Sequence, residues 1–511
     1  MLLAEVAAAS VAVGATRSRL AKRALLAEAL RRAGDEDVGL VARYLAGELR
    51  QRRTGLGWRS LVDLPVPATE PILTVRAVDD AFERMSLLSG AGSALARASE
   101  AAALFGAATA DEQVLLRGLV TGELRQGALD AQVLDAVAEA SGAPVDAVRR
   151  AAMLAGSTAP VAEAALRAES PEAAAGALAA FRLTVGTPVR PMLAQSAPDT
   201  AAALATVGAP AVVDAKLDGI RVQVHRDGDE VRVFTRSLDD VTARVPEIVA
   251  SARALPASTF VLDGEALILD DAGRPVAFQD TAARAATKDA DVASSTSLTP
   301  CFFDCLHLDG ADLLDEPLST RLATLENLLA DHPTMRIARV VAHDADEAQA
   351  HTDRVLAAGH EGVVVKSLDS PYEAGRRGAG WVKVKPVHTL DLVVLAVEWG
   401  SGRRRGLLSN IHLGARDPAG GFVMLGKTFK GMSDEMLRWQ TERFTELQTN
   451  DDGWVVTVRP EQVVEIAFDG LQRSTRYEGG LALRFARVVR YRDDKSAAES
   501  DTIESVRSLA R

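Results

Sequence analysis

The hydrophobic pattern changes character twice along the chain. Over residues 1 to about 185, apolar positions recur every three or four residues, as in Val38, Val41, Leu45 and Leu49. That spacing predicts short amphipathic helices, cut apart by single Gly, Pro and Asp-Glu breaks. At Val185-Gly186-Thr187-Pro188-Val189-Arg190-Pro191 two prolines and a glycine predict an extended linker. Beyond it the period becomes two. Ile220–His225 alternates, Asp227-Gly228 signals a hairpin turn, and Glu230–Phe234 returns. Further strands are predicted over Thr259–Ile268, Cys301–Leu306, Gly362–Lys366 and Trp381–Lys385, with helices near Arg321–Leu329 and Glu347–Ala357.

After Pro386 the pattern is nearly all strand: Asp391–Glu398, Ser409–Leu413, Phe422–Phe429, Trp454–Val458, Val463–Phe468 and Phe485–Tyr491. One helix is predicted over about Ser433–Leu447. A short terminal helix is predicted over Asp501–Leu509, with Asp501 as N-cap and Glu504 three residues on. The fold class is therefore multidomain. An all-α domain (residues 1–185) and a linker (186–195) precede an α+β domain with a largely antiparallel sheet (196–388). An all-β, OB-like barrel (389–511) ends the chain.

Composition narrows the class. The 511 residues are 48% hydrophobic and 25% charged, ordinary values for a globular protein of about three domains. The net charge of −12 means that a nucleic-acid partner must be gripped by local basic patches and not by the whole-molecule field. Cys301 and Cys305 lie four apart in one predicted strand, too far to bridge, so reduced thiols in a cytosolic protein are expected. No apolar run approaches a membrane span, and the start Met1-Leu2-Leu3-Ala4-Glu5 lacks the basic region of a signal peptide.

Candidate chemistry centres on Asp214-Ala215-Lys216-Leu217-Asp218-Gly219-Ile220-Arg221. A lysine follows the apolar run Ala211–Val213, with a carboxylate two residues to either side. Lysine is a poor nucleophile until desolvation or nearby cations lower its pKa. Arg221, Lys366, Lys383 and Lys385 are candidates for that cationic surrounding, and the same groups would neutralise a triphosphate. Lys383 and Lys385 share one strand face, as do Asp263 and Glu265, whose carboxylates suit a ribose hydroxyl or a metal ion. Phe303 can stack on a purine. Taken singly, each residue has a plainer account as a solvated charge or ordinary core.

Two other stretches compete for attention. Gly421-Phe422-Val423-Met424-Leu425-Gly426-Lys427-Thr428 fits the phosphate-loop pattern G-x-x-x-x-G-K-[ST], but its middle residues read as a strand and the next helix starts only near Ser433. Lys427 and Lys430 are better taken as basic residues on the barrel surface, and Arg403-Arg404-Arg405 as a solvated loop or a phosphate contact. Near the N-terminal end, Leu115–Gly127 carries glycines that allow close backbone approach and arginines suited to phosphates.

Order and spacing together say more than any single residue. Lys-Leu-Asp-Gly-Ile-Arg (216–221), Phe-Thr-Arg-Ser (234–237), Asp-Gly-Glu (263–265), Phe-Phe-Asp (302–304), Glu-Gly-Val-Val-Val-Lys (361–366) and Trp-Val-Lys-Val-Lys (381–385) resemble the successive motifs of the covalent nucleotidyltransferases. Within that superfamily they are similar to the ATP-dependent DNA ligases. Arg484–Lys495 resembles that family's last motif, and the helical N-terminal region its DNA-binding domain.

The resemblance implies a nucleotidyltransferase (adenylation) domain and an OB-fold domain, with Lys216 as the adenylylated nucleophile. It implies that Asp214 contacts adenine, through backbone or carboxylate, where the family more often has Glu. It further implies that Arg221 and Arg236 bind phosphates or the DNA end, that Glu265 holds the ribose and that Phe303 stacks on adenine. Lys366, Arg377 (or Arg376), Lys383 and Lys385 would meet phosphate. Glu265 and Glu361 would serve a metal, and Arg484, Arg487, Asp494 and Lys495 would orient the pyrophosphate. ATP is the implied AMP donor, with Mg²⁺ or another divalent cation such as Mn²⁺. Nicked double-stranded DNA is the implied partner of a monomer in the cytoplasm, on the nucleoid if bacterial. Replication, repair and recombination are the implied settings. An RNA ligase or RNA-capping guanylyltransferase would use the same lysine chemistry, but the large helical N-terminal region argues against both. A scaffold protein with a decayed site is disfavoured because the charged motif residues are all present.

Overall fold

The structure is a computed structural model and describes every residue except 52, 125, 127–129, 288–295, 375–379 and 510–511. Ten α-helices lie between Leu3 and Ala179, and the described residues there form no strand. The helix Val38–Ala46 buries Val38, Val41 and Leu45, the positions its periodicity marks. It stops at Gly47, whose φ of +81° suits a residue without a Cβ, so Leu49 lies beyond it. These helices enclose a core that includes Leu26, Tyr44, Phe82, Phe105 and Leu116.

The chain between residues 180 and 194 has neither helix nor strand, as two prolines dictate, yet it is strapped down. The Gly186 amide donates to His225 Nδ1 (3.0 Å), and Val189 N donates to Gln223 Oε1 (2.8 Å). Met192 N donates to the Tyr372 hydroxyl (3.0 Å). Met153 and Leu154, from the helix Val145–Ala155, join Val189, Met192, Leu306, Tyr372 and Trp381 in one apolar cluster. The linker is thus a packed seam.

Ten strands follow: β1 (Gln195–Ser196), β2 (Ala211–Lys216), β3 (Ile220–Asp227), β4 (Glu230–Thr235), β5 (Thr259–Leu267), β6 (Thr299–Leu308), β7 (Ala311–Asp312), β8 (Arg339–Ala342), β9 (Gly362–Ser367) and β10 (Trp381–Val384). The single, largely antiparallel sheet expected from sequence is instead two five-stranded sheets, ordered β1-β10-β9-β2-β8 and β4-β3-β5-β6-β7. Only the β1–β10 pair is parallel within them. The chain passes from one sheet to the other through Leu217-Asp218-Gly219. A Cβ on Gly219 would lie 2.4 Å from the Ala266 carbonyl oxygen, so this crossing needs glycine.

Period two then divides each sheet. In the first, Val213, Ala215, Val363, Val365, Val382 and Val384 pack together on one side with Ala203 and Leu204 of the helix Thr200–Val207. In the second, Val222, Val224, Phe260 and Leu262 pack with Ile248 of the helix Pro246–Ala254. These helices, and Phe278–Ala286, carry weak sequence signals, because each buries only two or three residues.

The remaining strands are β11 (His388–Trp399), β12 (Leu408–Arg416), β13 (Phe422–Thr428), β14 (Gln448–Asp451), β15 (Val455–Val458), β16 (Val463–Phe468), β17 (Gly470–Arg473), β18 (Leu481–Arg484) and β19 (Arg487–Tyr491). Seven of them form one sheet around the long β11, and β17 pairs with β18. The fold fits an OB-type domain. The helix Asp434–Glu446 is capped by the Ser433 hydroxyl, which accepts from Met436 N at 3.1 Å. At the end of the chain Thr502, not Asp501, caps the helix Ile503–Ser508. Asp501 is engaged elsewhere, its carboxylate accepting from Asp391 N at 2.8 Å. Among the described residues no helix is long and apolar enough to cross a membrane.

One motif carboxylate belongs to the framework. Asp304 and Arg321 are fully buried and paired at 2.7 and 3.1 Å, and Arg321 also donates to the carbonyls of Glu316 (2.6 Å) and Ser370 (3.0 Å). Arg321→Leu should cost about 3–5 kcal/mol, because it strands a buried carboxylate. The denaturant midpoint of the middle domain's transition should fall, and Asp304→Leu added to it should restore much of the loss.

Candidate active site

The polar faces of the two sheets look at each other across a cleft of about 660 Å³. Strand register explains which side chains line it. Lys216 pairs with Gly362, Asp214 with Val364 and Val212 with Lys366. Val364 pairs in turn with Lys383, and Lys366 with Trp381. Directly paired residues point to the same side, so Asp214, Lys216, Lys366, Trp381 and Lys383 share the cleft face. From the other sheet Arg221 and Glu265, which are register partners, and Phe303 face them. Arg236, just past β4, and Lys385, just past β10, complete the cationic lining.

Nearly every described charge here has a counter-charge. The Lys216 ammonium touches the Glu361 carboxylate, whose other oxygen lies 3.2 Å from Lys385 Nζ. Arg221 makes a two-pronged pair with Asp263 at 3.0 and 2.6 Å, and Tyr372 donates to the same carboxylate at 2.7 Å. Asp214 is 1% exposed beneath Lys366 (2.6 Å) and Arg339 (2.5 and 3.2 Å). Lys366 Nζ also lies 4.2 Å from the Trp381 ring and 4.7 Å from that of Phe303.

These pairings set the titration behaviour. Burial pushes the Glu265 carboxyl up to about 7, against the pull of Lys216 and Arg221. Burial also opposes the charges of Glu361 and Asp214, yet Lys216 and Lys385 hold the first, and Lys366 and Arg339 the second, below the usual carboxylate range. For Lys366 burial wins and lowers the ammonium's pKa. Burial drives both thiols up to about 12, so Cys301 and Cys305 stay protonated and free.

The C-terminal domain reaches into the same cleft through Asp469 and Phe485. Asp469 contacts Lys385 and accepts from Arg487 at 3.1 Å. Arg484 donates to Asp218 at 2.8 Å and stands 5.0 Å from the Phe278 ring. Arg473 pairs with Asp280, and its backbone exchanges hydrogen bonds with the Gln279 amide at 2.9 and 3.0 Å.

The structure gathers Lys216, Asp214, Arg221, Arg236, Glu265, Phe303, Glu361, Lys366, Lys383 and Lys385 at this cleft, with Arg487 one ion pair away. Arg376 and Arg377 lie outside the described residues. Several candidates already have partners. The Asp214 carboxylate is committed to Lys366 and Arg339. Lys366, 2% exposed, sits under the aromatic rings. Asp494 and Lys495 are tied within their own domain, to Arg492 (2.8 Å) and Asp391 (2.5 Å). Lys427, on β13, contacts Glu398, and Phe422–Thr428 is strand, as its apolar middle predicts.

Sequence reasoning missed Arg339 and Asp469. Arg339 opens a four-residue strand too short to signal itself. Asp469 had a signal, a carboxylate and glycine directly after the predicted strand Val463–Phe468.

The site suits a nucleoside triphosphate and a divalent cation. Trp381 Nε1 is buried with no hydrogen-bond partner among the described residues, beside Phe303 at 5.8 Å between ring centroids. No cluster of three or more metal-ligating groups occurs among the described residues. Two cleft carboxylates, Glu265 and Glu361, match a small cation whose shell is completed by phosphate and water. Arg236 also lines a second groove of about 1350 Å³ between the helical region and the sheets, with Arg43, Arg50, Arg53 and Arg190. Leu119–Gly122, the described middle of the glycine-bearing helical stretch, lines that groove too. There Gly118 lets Leu124 approach to where a Cβ would be 2.9 Å away.

Comparison with known proteins agrees with this geometry. The model of the ATP dependent DNA ligase domain matches residues 191–385, and that of the ATP dependent DNA ligase C terminal region matches residues 404–495. The "Probable DNA ligase" of Beutenbergia cavernae is 69% identical over 513 residues, covering 100% of both chains. That of Kineococcus radiotolerans is 62% identical over 515 residues, again covering 100% of both. The solved structure named Pmar-Lig_PreS3 shares the fold across 95% of this chain and 99% of its own, at a TM-score of 0.63 and 19% identity. The chain therefore belongs to the ATP-dependent DNA ligases, enzymes that form the phosphodiester bond closing a nick in duplex DNA.

Proposed function

We propose that this ligase works through a covalent lysyl-AMP on Lys216. One observation carries the proposal: Lys216 ends β2 on the cleft face, at the crossing between the sheets. In register, Gly362 beside Lys216 and Lys366 beside Trp381 are four residues apart along β9, about 13 Å. That span separates a nucleophile end from an aromatic end and suits a nucleotide laid along the strand. Phe303 and Trp381 take the base, Glu265 the ribose, and Lys383, Lys385 and Arg236 the phosphates. Arg221, bound to Asp263 and to the Met192 carbonyl (2.6 Å), braces the wall. Asp214 and Lys366 support the aromatic floor from below, and any contact of residue 214 with adenine is through its backbone.

An ammonium held by a carboxylate is not a nucleophile. Lys216 Nζ must part from Glu361 and give up a proton to water before it can attack. The Nζ lone pair then attacks the α-phosphorus. An N–P bond forms, the bond to the bridging oxygen breaks, and pyrophosphate leaves. Glu265 and Glu361 would hold Mg²⁺ or Mn²⁺, which would supply positive charge against the phosphates. The 5′-phosphate of the nick next takes AMP from Lys216, breaking the N–P bond. Finally the 3′-hydroxyl attacks that phosphate and expels AMP.

The division into a helical DNA-binding domain, an adenylation domain and an OB-fold domain follows the same proposal. The arginine-lined groove would hold the duplex by its phosphates, and Arg236, shared by groove and cleft, would sit where DNA meets nucleotide.

Incubation with α-labelled ATP and Mg²⁺ should leave an acid-stable label on the protein, and Lys216→Ala should abolish it. Equal labelling of the variant would sink the proposal. Glu265 supplies a pH test. With its carboxyl raised to about 7, the folded chain binds more protons than the unfolded one between about pH 4.5 and 7. Stability from this group therefore falls as pH rises through that window and levels off above it. Glu265→Gln should raise Tm relative to the parent by more at about pH 8 than at about pH 5, while impairing labelling.

A further inference from the structure

We infer that Asp469 is a positioning residue that stands in for phosphate: in the nucleotide-free enzyme its carboxylate holds Lys385 and Arg487, and ATP must displace it. This rests on the cleft being the nucleotide site. Asp469 joins β16 to β17 and lines the cleft, its side chain 14% exposed. One carboxylate oxygen contacts Lys385 and the other accepts from Arg487 at 3.1 Å. Its backbone is fixed as well, the Asp469 amide donating to the Arg484 carbonyl at 3.0 Å.

The pairings form one alternating run, Arg487–Asp469–Lys385–Glu361–Lys216, from the C-terminal domain to the nucleophile. Three cations in that run are balanced by two carboxylates. A triphosphate brings several negative charges into the same space. Both sets of anions cannot share Lys385 and Arg487 without like-charge repulsion, so phosphate oxygens take over the cations and Asp469 yields. An ion pair serving only to join two domains has no need to sit in the cleft wall.

The same contact latches the domain. Among the described residues the ion pairs joining the C-terminal domain to the cleft domain are Lys385–Asp469, Arg484–Asp218 and Arg473–Asp280.

The test uses the full chain with Asp469→Asn and, as a second variant without the charge, Asp469→Ser. Self-adenylation should show KM for ATP lowered about fivefold with the turnover number within about twofold, the size of one partly exposed ion pair. Asp469→Glu should behave as the parent. An unchanged or raised KM for ATP in the charge-removing variants overturns the inference, because a residue that merely braces the fold would give that result. If even the parent takes up no label, the lysyl-AMP proposal fails separately. Small-angle scattering of the nucleotide-free proteins then decides the latch: a larger radius for Asp469→Asn upholds it, and equal radii refute it.

Discussion

A cleft crowded with half-buried charge survives only if each charge meets its opposite. Lys216 leans on Glu361, Arg221 on Asp263, and Asp214 lies beneath Lys366 and Arg339. Removing any of these ions from water is expensive, and the partners return part of that cost only while their geometry holds. The two sheets are the device that holds it. Their apolar faces are sunk in separate cores, so the strands cannot slide by one residue without turning valines into the cleft and lysines into the core.

That requirement explains how much of the site could be read from the chain. Alternation places Lys366, Lys383 and Glu265 on strands, and period two pairs Lys383 with Lys385 and Asp263 with Glu265 on a face. What it could not give was pairing between strands far apart in sequence. Asp214 shows the gap. Beside Lys216 it looks like a ligand, and only the approach of Arg339 and Lys366 makes it a support. Lys366 is a second case, because a lysine ending an apolar strand gives no hint that two aromatic rings will close over it. Asp304 stands in a motif yet holds Arg321 in the core.

The helical and C-terminal regions were legible to different degrees. Strongly periodic helices such as Val38–Ala46 are legible. Four-residue strands such as β14, β17 and β18 did not, since so few positions cannot establish a period. The linker was legible as extended chain, but its hydrogen bonds to Gln223, His225 and Tyr372 depend on partners that its own residues do not announce.

The seam made by Met153 and Leu154 has a mechanical consequence. These side chains share a cluster with Tyr372 and Trp381, the latter a wall of the cleft, and the linker is stitched across the same surface. On the opposite flank the C-terminal domain is held by a few polar contacts that water and salt can replace. The molecule is stiff at one shoulder and loose at the other. Force on the C-terminal side would therefore part these polar contacts before it moved Trp381.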